Sequence, residues 1–323
     1  NSIGIAGVTW HVKILPVKFL NAQGSGSLDD AVKAIQYATL MKANIMSNSW
    51  GGGAFSQALL DAITAAKEKG ILFIAASGNN GESSDSIPHY PASYAVDNIL
   101  TVAATDNRDQ LASFSNFGKH SVDIAAPGVN ILSSLPGGKY GLMSGTSMAT
   151  PHVAGAAALL WGRFPIQSYS EIKERLVKSR DPKDQLMRQI RSSGRLNIYN
   201  ALNEIYIPSG EPMESDWKDG DALPPIETAH PYADNSNQEW VIKGPANAKY
   251  MRIHFTKYEL ESNYDFLTIG DAAGVVADKI SGIANDPSAS WYISGNEMHL
   301  KFTSDNSVDK WGFLIDKFQY IPQ

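Results

Sequence analysis

The stretch GTSMATPHVAG (145–155) sets a serine, Ser147, behind a Gly-Thr turn and ahead of a run of small residues. A serine hydroxyl is a weak nucleophile until a base takes its proton, and an acyl intermediate needs donors aimed at its developing oxyanion. At a helix N-terminus the backbone N–H groups face outward and the dipole favours negative charge. Ser147 and its own amide therefore stand where chemistry of this kind can occur, although the same residues also make an ordinary helix cap. SGNNG (77–81) follows the apolar run ILFIAA, which puts Asn79 at the carboxyl end of a strand, where open α/β sheets place ligands; its amide can donate to an oxyanion. SNSWGGG (47–53) also ends a strand candidate, and backbone beside three glycines can pair with an extended peptide by strand addition. Read singly, each of these is a glycine-rich turn.

The elements that must hold these turns alternate along residues 1–203. VKILPVKFL (12–20) is an apolar strand candidate, followed by a helix over 27–42 with Ser27 as its cap and Asp30 closing a capping box. NIMSNSW (44–50) reads as a strand, 55–70 as a helix stopped at Gly70, and ILFIAAS (71–77) and NILTVAAT (98–105) as buried strands. Helices are expected over 151–164 and 168–179. Continuous apolar strands separated by helices predict an α/β fold, a parallel sheet covered on both faces.

Character changes near residue 204. PSGEPMESDWKDGDALPPIE (208–227) is rich in Pro, Gly and acids, so 204–227 is read as a linker. From 228 to 323, short segments with period-two alternation and many aromatic residues predict a small all-β sandwich. The net charge of -6 gives no basic excess with which to neutralise phosphates, which argues against a nucleic-acid partner. No apolar run is long enough to span a membrane. With no cysteine there is no disulfide and no thiolate nucleophile or ligand, and bound calcium is one remaining route to extra stability.

Residues 1–203 resemble the subtilisin-like serine proteases. GTSMATPHVAG is similar to that family's nucleophile motif, SGNNG to its oxyanion loop and SNSWGGG to its substrate-binding strand; VDIAAPGVNILSS (122–134) and SGRLNIYNAL (193–202) are also similar to family segments. The resemblance implies a three-layer subtilisin-like fold with Ser147 as nucleophile, and Asn79 and the Ser147 amide as oxyanion donors. Ser49, Trp50, Gly51 and Gly52 would bind the peptide before the scissile bond. Ala76, Ser77 and Gly78 would wall the first-subsite pocket, with His89 at its base, where an imidazole favours a polar or acidic residue. The family's chain order is Asp, His, Ser, yet neither an Asp-Thr-Gly turn nor an HGTHVAG-like helix precedes Ser147. His11, His89 and His120 lack helical context, and His152 lies too close in sequence to reach the hydroxyl. NSIGIAGV (1–8) resembles the second half of the family's calcium loop, with the Asn1 carboxamide and the Ile3 and Ile5 carbonyls as ligands.

Residues from about 228 to 321 resemble a CUB domain without its usual cysteines, and Glu261, Asp265 and Asp305 match a calcium site of that family. The implied function is a secreted or cell-surface serine endopeptidase that binds calcium. Its expected partners are peptide or protein substrates, an N-terminal fragment carrying the catalytic Asp and His as a separate chain, and a propeptide or protein inhibitor. The alternative is a catalytically inactive subtilisin-like scaffold, or a fragment, that binds peptides or proteins. An α/β-hydrolase esterase fits poorly, because its G-x-S-x-G elbow directly follows a strand and GTSMA lacks the second glycine.

Overall fold

The computed structural model describes residues 4–208, 210–261, 264–284 and 288–323. The chain divides into two compact units, 1–209 and 210–323.

The first unit alternates strand and helix. Its elements are α1 (Leu28–Leu40), β1 (Ile45–Asn48), α2 (Gln57–Glu68), β2 (Leu72–Ala76), β3 (Ile99–Thr105), β4 (Ile124–Pro127), β5 (Ile131–Leu135), β6 (Lys139–Met143), α3 (Thr146–Arg163), α4 (Tyr169–Lys178), β7 (Asp181–Pro182), β8 (Gly194–Arg195) and α5 (Ile198–Asn203). The main sheet runs β1-β2-β3-β4-β8-β7, parallel except for the β7–β8 pair. Every residue of β2 is buried, because the two faces of the strand meet different layers. Leu72 and Ile74 pack with Val153, Ala156 and Leu160 of α3. Phe73 and Ala75 pack with Leu59, Ile63 and Ala66 of α2 and Ile35 of α1. This is the subtilisin-like three-layer arrangement, and the alanines of α3 let the helix lie close on the sheet.

Local signals position the elements that carry the site. Ser27 Oγ accepts from Asp30 N at 3.1 Å, so Ser27 caps α1 as expected, but Asp30 Oδ2 accepts from the Ser27 hydroxyl, at 2.7 Å, rather than from the Ser27 backbone N–H, so the reciprocal half of the expected capping box is not made. α2 stops before Gly70, which adopts φ +74°, open to glycine without a Cβ clash. Two expectations fail. Residues 12–20 join no strand; they are largely exposed, and an apolar run with no neighbour to pair with forms no ladder. α3 begins at Thr146 rather than 151, because Pro151 is accommodated inside the helix. The proline has no N–H for the carbonyl of Ser147, and Ser49 Oγ donates to that carbonyl instead, at 2.8 Å.

The second unit contains β9 (Lys218–Asp219), β10 (Ile226–Glu227), β11 (Asn237–Lys243), β12 (Ala248–Glu259), β13 (Phe266–Asp271), β14 (Val276–Ile280), the short β15 (Ile283–Ala284), β16 (Ser288–Ala289) and β17 (Ile293–Ser294), β18 (Glu297–Thr303) and β19 (Gly312–Pro322). One antiparallel sheet is ordered β11-β18-β13-β14; the other is built on the β12–β19 pair. Leu267, Leu300 and Phe302 of the first meet Ile253, Phe255 and Phe313 of the second in one aromatic core. Residues 218–219 and 226–227, read from composition as linker, pair with β19, and the Arg252 guanidinium lies 4.3 Å over the Trp217 ring.

Candidate active site

Three chain segments converge at the start of α3. Ser147 lies in the first helical turn, where the helix supplies no acceptor for its amide. Its Oγ donates to the Ser49 carbonyl at 3.2 Å, and the Ser49 hydroxyl returns a bond to the Ser147 carbonyl. The end of β1 and the turn carrying the serine are thus joined reciprocally. From the end of β2 comes Asn79. Its Oδ1 accepts from Thr146 N and Thr146 Oγ1, each at 2.9 Å. Both bonds use the carbonyl side of the amide, which leaves Nδ2 toward Gly145: a Cβ built on that glycine would lie 3.7 Å from Nδ2. A donor side chain fixed through its own acceptor, beside a hydroxyl and an uncommitted helix amide, can stabilise an oxyanion formed at Ser147. Thr146, which the sequence suggests only as part of a tight, exposed Gly-Thr turn, is fully buried and anchors Asn79.

The predicted substrate-binding residues lie along two chain ends. Ser49, Gly51 and Gly52 are exposed and Trp50 is half-buried, its Nε1 donating to Asn48 Oδ1 at 3.2 Å. Ala76 and Ser77 are buried, and Gly78 adopts φ +111°. His89 stands between the two ends. A Cβ built on Gly51 would lie 2.5 Å from His89 Nε2, and one built on Gly78 would lie 3.0 Å from His89 Cδ2. The loop that presents it is pinned by His89 N donating to Ser93 Oγ at 2.9 Å. Burial holds the His89 pKa below its ordinary value, while the Glu82 carboxylate pulls the other way. At neutral pH this edge of the cleft therefore presents a neutral imidazole.

No imidazole or carboxylate hydrogen-bonds to Ser147 Oγ among the described residues. His11 and His120 are exposed, and His152 Nδ1 contacts the Met148 carbonyl at 2.8 Å, one turn along α3. Of the N-terminal calcium ligands expected from sequence, Asn1 and Ile3 lie outside the described residues; Ile5 is exposed on an irregular segment.

The second unit holds an acid cluster. Ligand atoms of Glu261, Asp265 and Asp305 lie within 4.8 Å of one another. Asp265 is fully buried; it accepts from the Tyr232 hydroxyl and, at 2.9 Å, from Asp305 N. Glu261 Oε2 is buried with no hydrogen-bond partner. Burial, then Asp305 and Asp265, push the Glu261 pKa above its ordinary value, with Lys310 opposing. Three converging carboxylates, one with an orphaned oxygen, fit a hard divalent cation such as calcium.

Comparison with known proteins supplies the context for this geometry. Residues 1–199 match the subtilase family and residues 223–317 the CUB domain. The chain is 43% identical over 204 residues to a thermophilic serine proteinase of Bacillus sp. (strain AK1), covering 62% of this chain and 48% of that protein. It is 43% identical over 176 residues to subtilisin Savinase of Lederbergia lenta, covering 54% of this chain and 63% of that one. It therefore spans less than two thirds of either relative. The solved structure of the prenylagaramide maturation protease PagA aligns with a TM-score of 0.51 at 33% identity, covering 57% of this chain and 70% of that one. With a three-layer unit matched along its length and a serine and an asparagine at its sheet edge, the chain belongs to the subtilase family, the subtilisin-like serine proteases.

Proposed function

We propose that this protein is a serine endopeptidase acting through an acyl-enzyme on Ser147. The observation that carries the reading is the anchoring of Asn79 by Thr146, which leaves the amide nitrogen beside Gly145, in the turn that leads into Ser147. An extended peptide pairs with the backbone of 49–51 and its scissile carbonyl sits against Ser147. Oγ attacks the carbonyl carbon and loses its proton to a histidine base. Charge gathers on the carbonyl oxygen, where Asn79 Nδ2 and the Ser147 amide donate. The tetrahedral adduct collapses, the leaving amine takes the proton from the base, and water resolves the ester by the same route in reverse. His89 gives the first-subsite pocket a polar wall.

The histidine and its orienting aspartate come from an N-terminal fragment held as a separate chain. Exposed Trp10, Val12, Ile14 and Leu15 and the β1 edge support this, as surface that a packed neighbour would cover. Glu261, Asp265 and Asp305 hold calcium, which when bound neutralises their mutual repulsion; Asn1, Ile3 and Ile5 contribute to a second site in the first unit. We assign the protein to a secreted or cell-surface setting, with a propeptide or protein inhibitor as a further partner. A second reading, a peptide-binding scaffold without catalysis, is favoured by the lack of a base at Ser147 among the described residues. A serine-directed fluorophosphonate applied to the native protein decides between them. Labelling of Ser147 with accompanying amidase activity supports the enzyme, and intact peptide binding with neither supports the scaffold.

A further inference from the structure

We infer that Asn116 is a positioning residue for the oxyanion donor Asn79; the inference rests on the protease reading above. Asn79 sits in an irregular loop, 77–82, with glycines at φ +111° (Gly78) and +70° (Gly81). No helix or strand fixes this loop, so something else must hold Asn79 in register with Ser147. The residues on either side of Asn79 both bond to Asn116. Asn116 N donates to the Gly78 carbonyl at 2.9 Å, and Asn116 Oδ1 accepts from Asn80 N at 2.8 Å. The same oxygen accepts from Glu82 N at 3.3 Å, and the Asn116 carbonyl accepts from Ser77 Oγ at 2.9 Å. One residue thereby brackets Asn79 and reaches both ends of the loop.

Asn116 can do this because it is itself buried and tied to the sheet. It is 2% exposed, and its side-chain amide packs on the bare Cα of Gly78, where a built Cβ would lie 2.5 Å from Nδ2. Ser115 Oγ donates to the Asn116 carbonyl at 3.1 Å and accepts from Ala104 N in β3 at 2.9 Å. The chain of bonds therefore runs from the central sheet through Asn116 to the backbone of Asn79, while Thr146 fixes the far end of the Asn79 side chain. The chemistry requires an acceptor oxygen at the Oδ1 position, facing two N–H groups. An aspartate supplies one; a leucine of similar shape does not.

The test is steady-state amidolysis of a peptide p-nitroanilide by the assembled native enzyme and by Asn116→Leu, Asn116→Asp, Asn79→Ala and Asn79→Ala/Asn116→Leu. Displacing a catalytic group by about 1 Å can cost on the order of 10² in rate. We expect Asn116→Leu to lower kcat by ~10² with KM within about twofold, and Asn116→Asp to restore most of it. In the Asn79→Ala background, Asn116→Leu should add little, because the donor it positions is already gone. Effects that multiply in the double variant, a change confined to KM, or unchanged kcat in Asn116→Leu would overturn the inference. If Asn116→Leu does not fold, Asn116→Thr, whose shorter side chain withdraws the acceptor, takes its place under the same criteria. A wild-type enzyme with neither amidolysis nor fluorophosphonate labelling would sink the protease reading, and this inference with it. An active wild type with multiplicative variants would sink this inference alone.

Discussion

Two regions of the first unit differ in how far they are finished by the chain's own residues. At the corner of Asn79, Thr146, Ser147 and Ser49, side chains and backbone satisfy one another: Thr146 anchors the asparagine, the Ser49 carbonyl accepts from the Ser147 hydroxyl, and the Ser49 hydroxyl donates to the carbonyl that Pro151 orphans. Along residues 4–20 the reverse holds. Val8 packs on Gly155 of α3, but Trp10 is 78% exposed and Ile14 83%. Apolar side chains exposed on that scale are surface fit for a covering partner. The first corner is held by its own bonds, whereas no imidazole or carboxylate hydrogen-bonds to Ser147 Oγ among the described residues.

The largest effect expected from breaking the finished corner is at the nucleophile. Ser147→Ala should abolish amidolysis, a fall on the order of 10⁶ in kcat, which is the size already measured for this serine in subtilisin itself rather than a value obtained from this geometry. Titration with a fluorophosphonate and residual-rate assays check it. Asn79→Ala should lower kcat by about 10²–10³ with little change in KM, again the loss known for this donor in subtilisin. Retained kcat would mean that Asn79 Nδ2 does not face the oxyanion.

Outside that corner, calcium should raise the melting temperature of the second unit at pH 7. At a concentration 100-fold above its Kd, a bound ion adds about 2.7 kcal/mol, on the order of 10–20 °C for a domain of this size. Differential scanning calorimetry with calcium and with chelator measures this. The Glu261→Gln/Asp305→Asn variant should lose the calcium response.

The smallest effect sharpens the view of the pocket. Since His89 is neutral at pH 7 and its pKa is lowered, it gains charge only as the pH falls below the ordinary histidine range. The ratio of kcat/KM for a Glu over a Gln first-subsite residue should rise with acidification, by roughly 10-fold for one added charge–charge contact. Titration of the catalytic base cancels in that ratio, so a flat ratio would show that His89 does not meet the substrate. In His89→Leu the ratio should be flat.

Much of this was legible in the sequence. The alternation of apolar strands and helices gave the three layers, and the turns after β1 and β2 were where their motifs lay. What escaped was long-range or conditional. Asn116 lies in ASFSNFG, an unremarkable turn; nothing in its spacing ties it to a loop more than thirty residues earlier. Pro151 reads locally as a helix start, yet the helix begins at Thr146, and the hydroxyl of Ser49, distant in sequence, donates to the Ser147 carbonyl that the proline leaves without a helical donor. Residues 12–20 have the composition of a strand, but a strand exists only with a partner. The acids at 261, 265 and 305, by contrast, were grouped by the family resemblance, and in the fold they follow the end of β12, precede the start of β13 and follow the end of β18.

The most direct test of the central claim is the denaturing intact mass of the native, purified protein after reaction with a fluorophosphonate, followed by peptide mapping. We expect one adduct, on Ser147, and a second polypeptide carrying an aspartate turn and a histidine helix. The absence of any adduct on Ser147 in a folded sample that includes the histidine-bearing segment would contradict it.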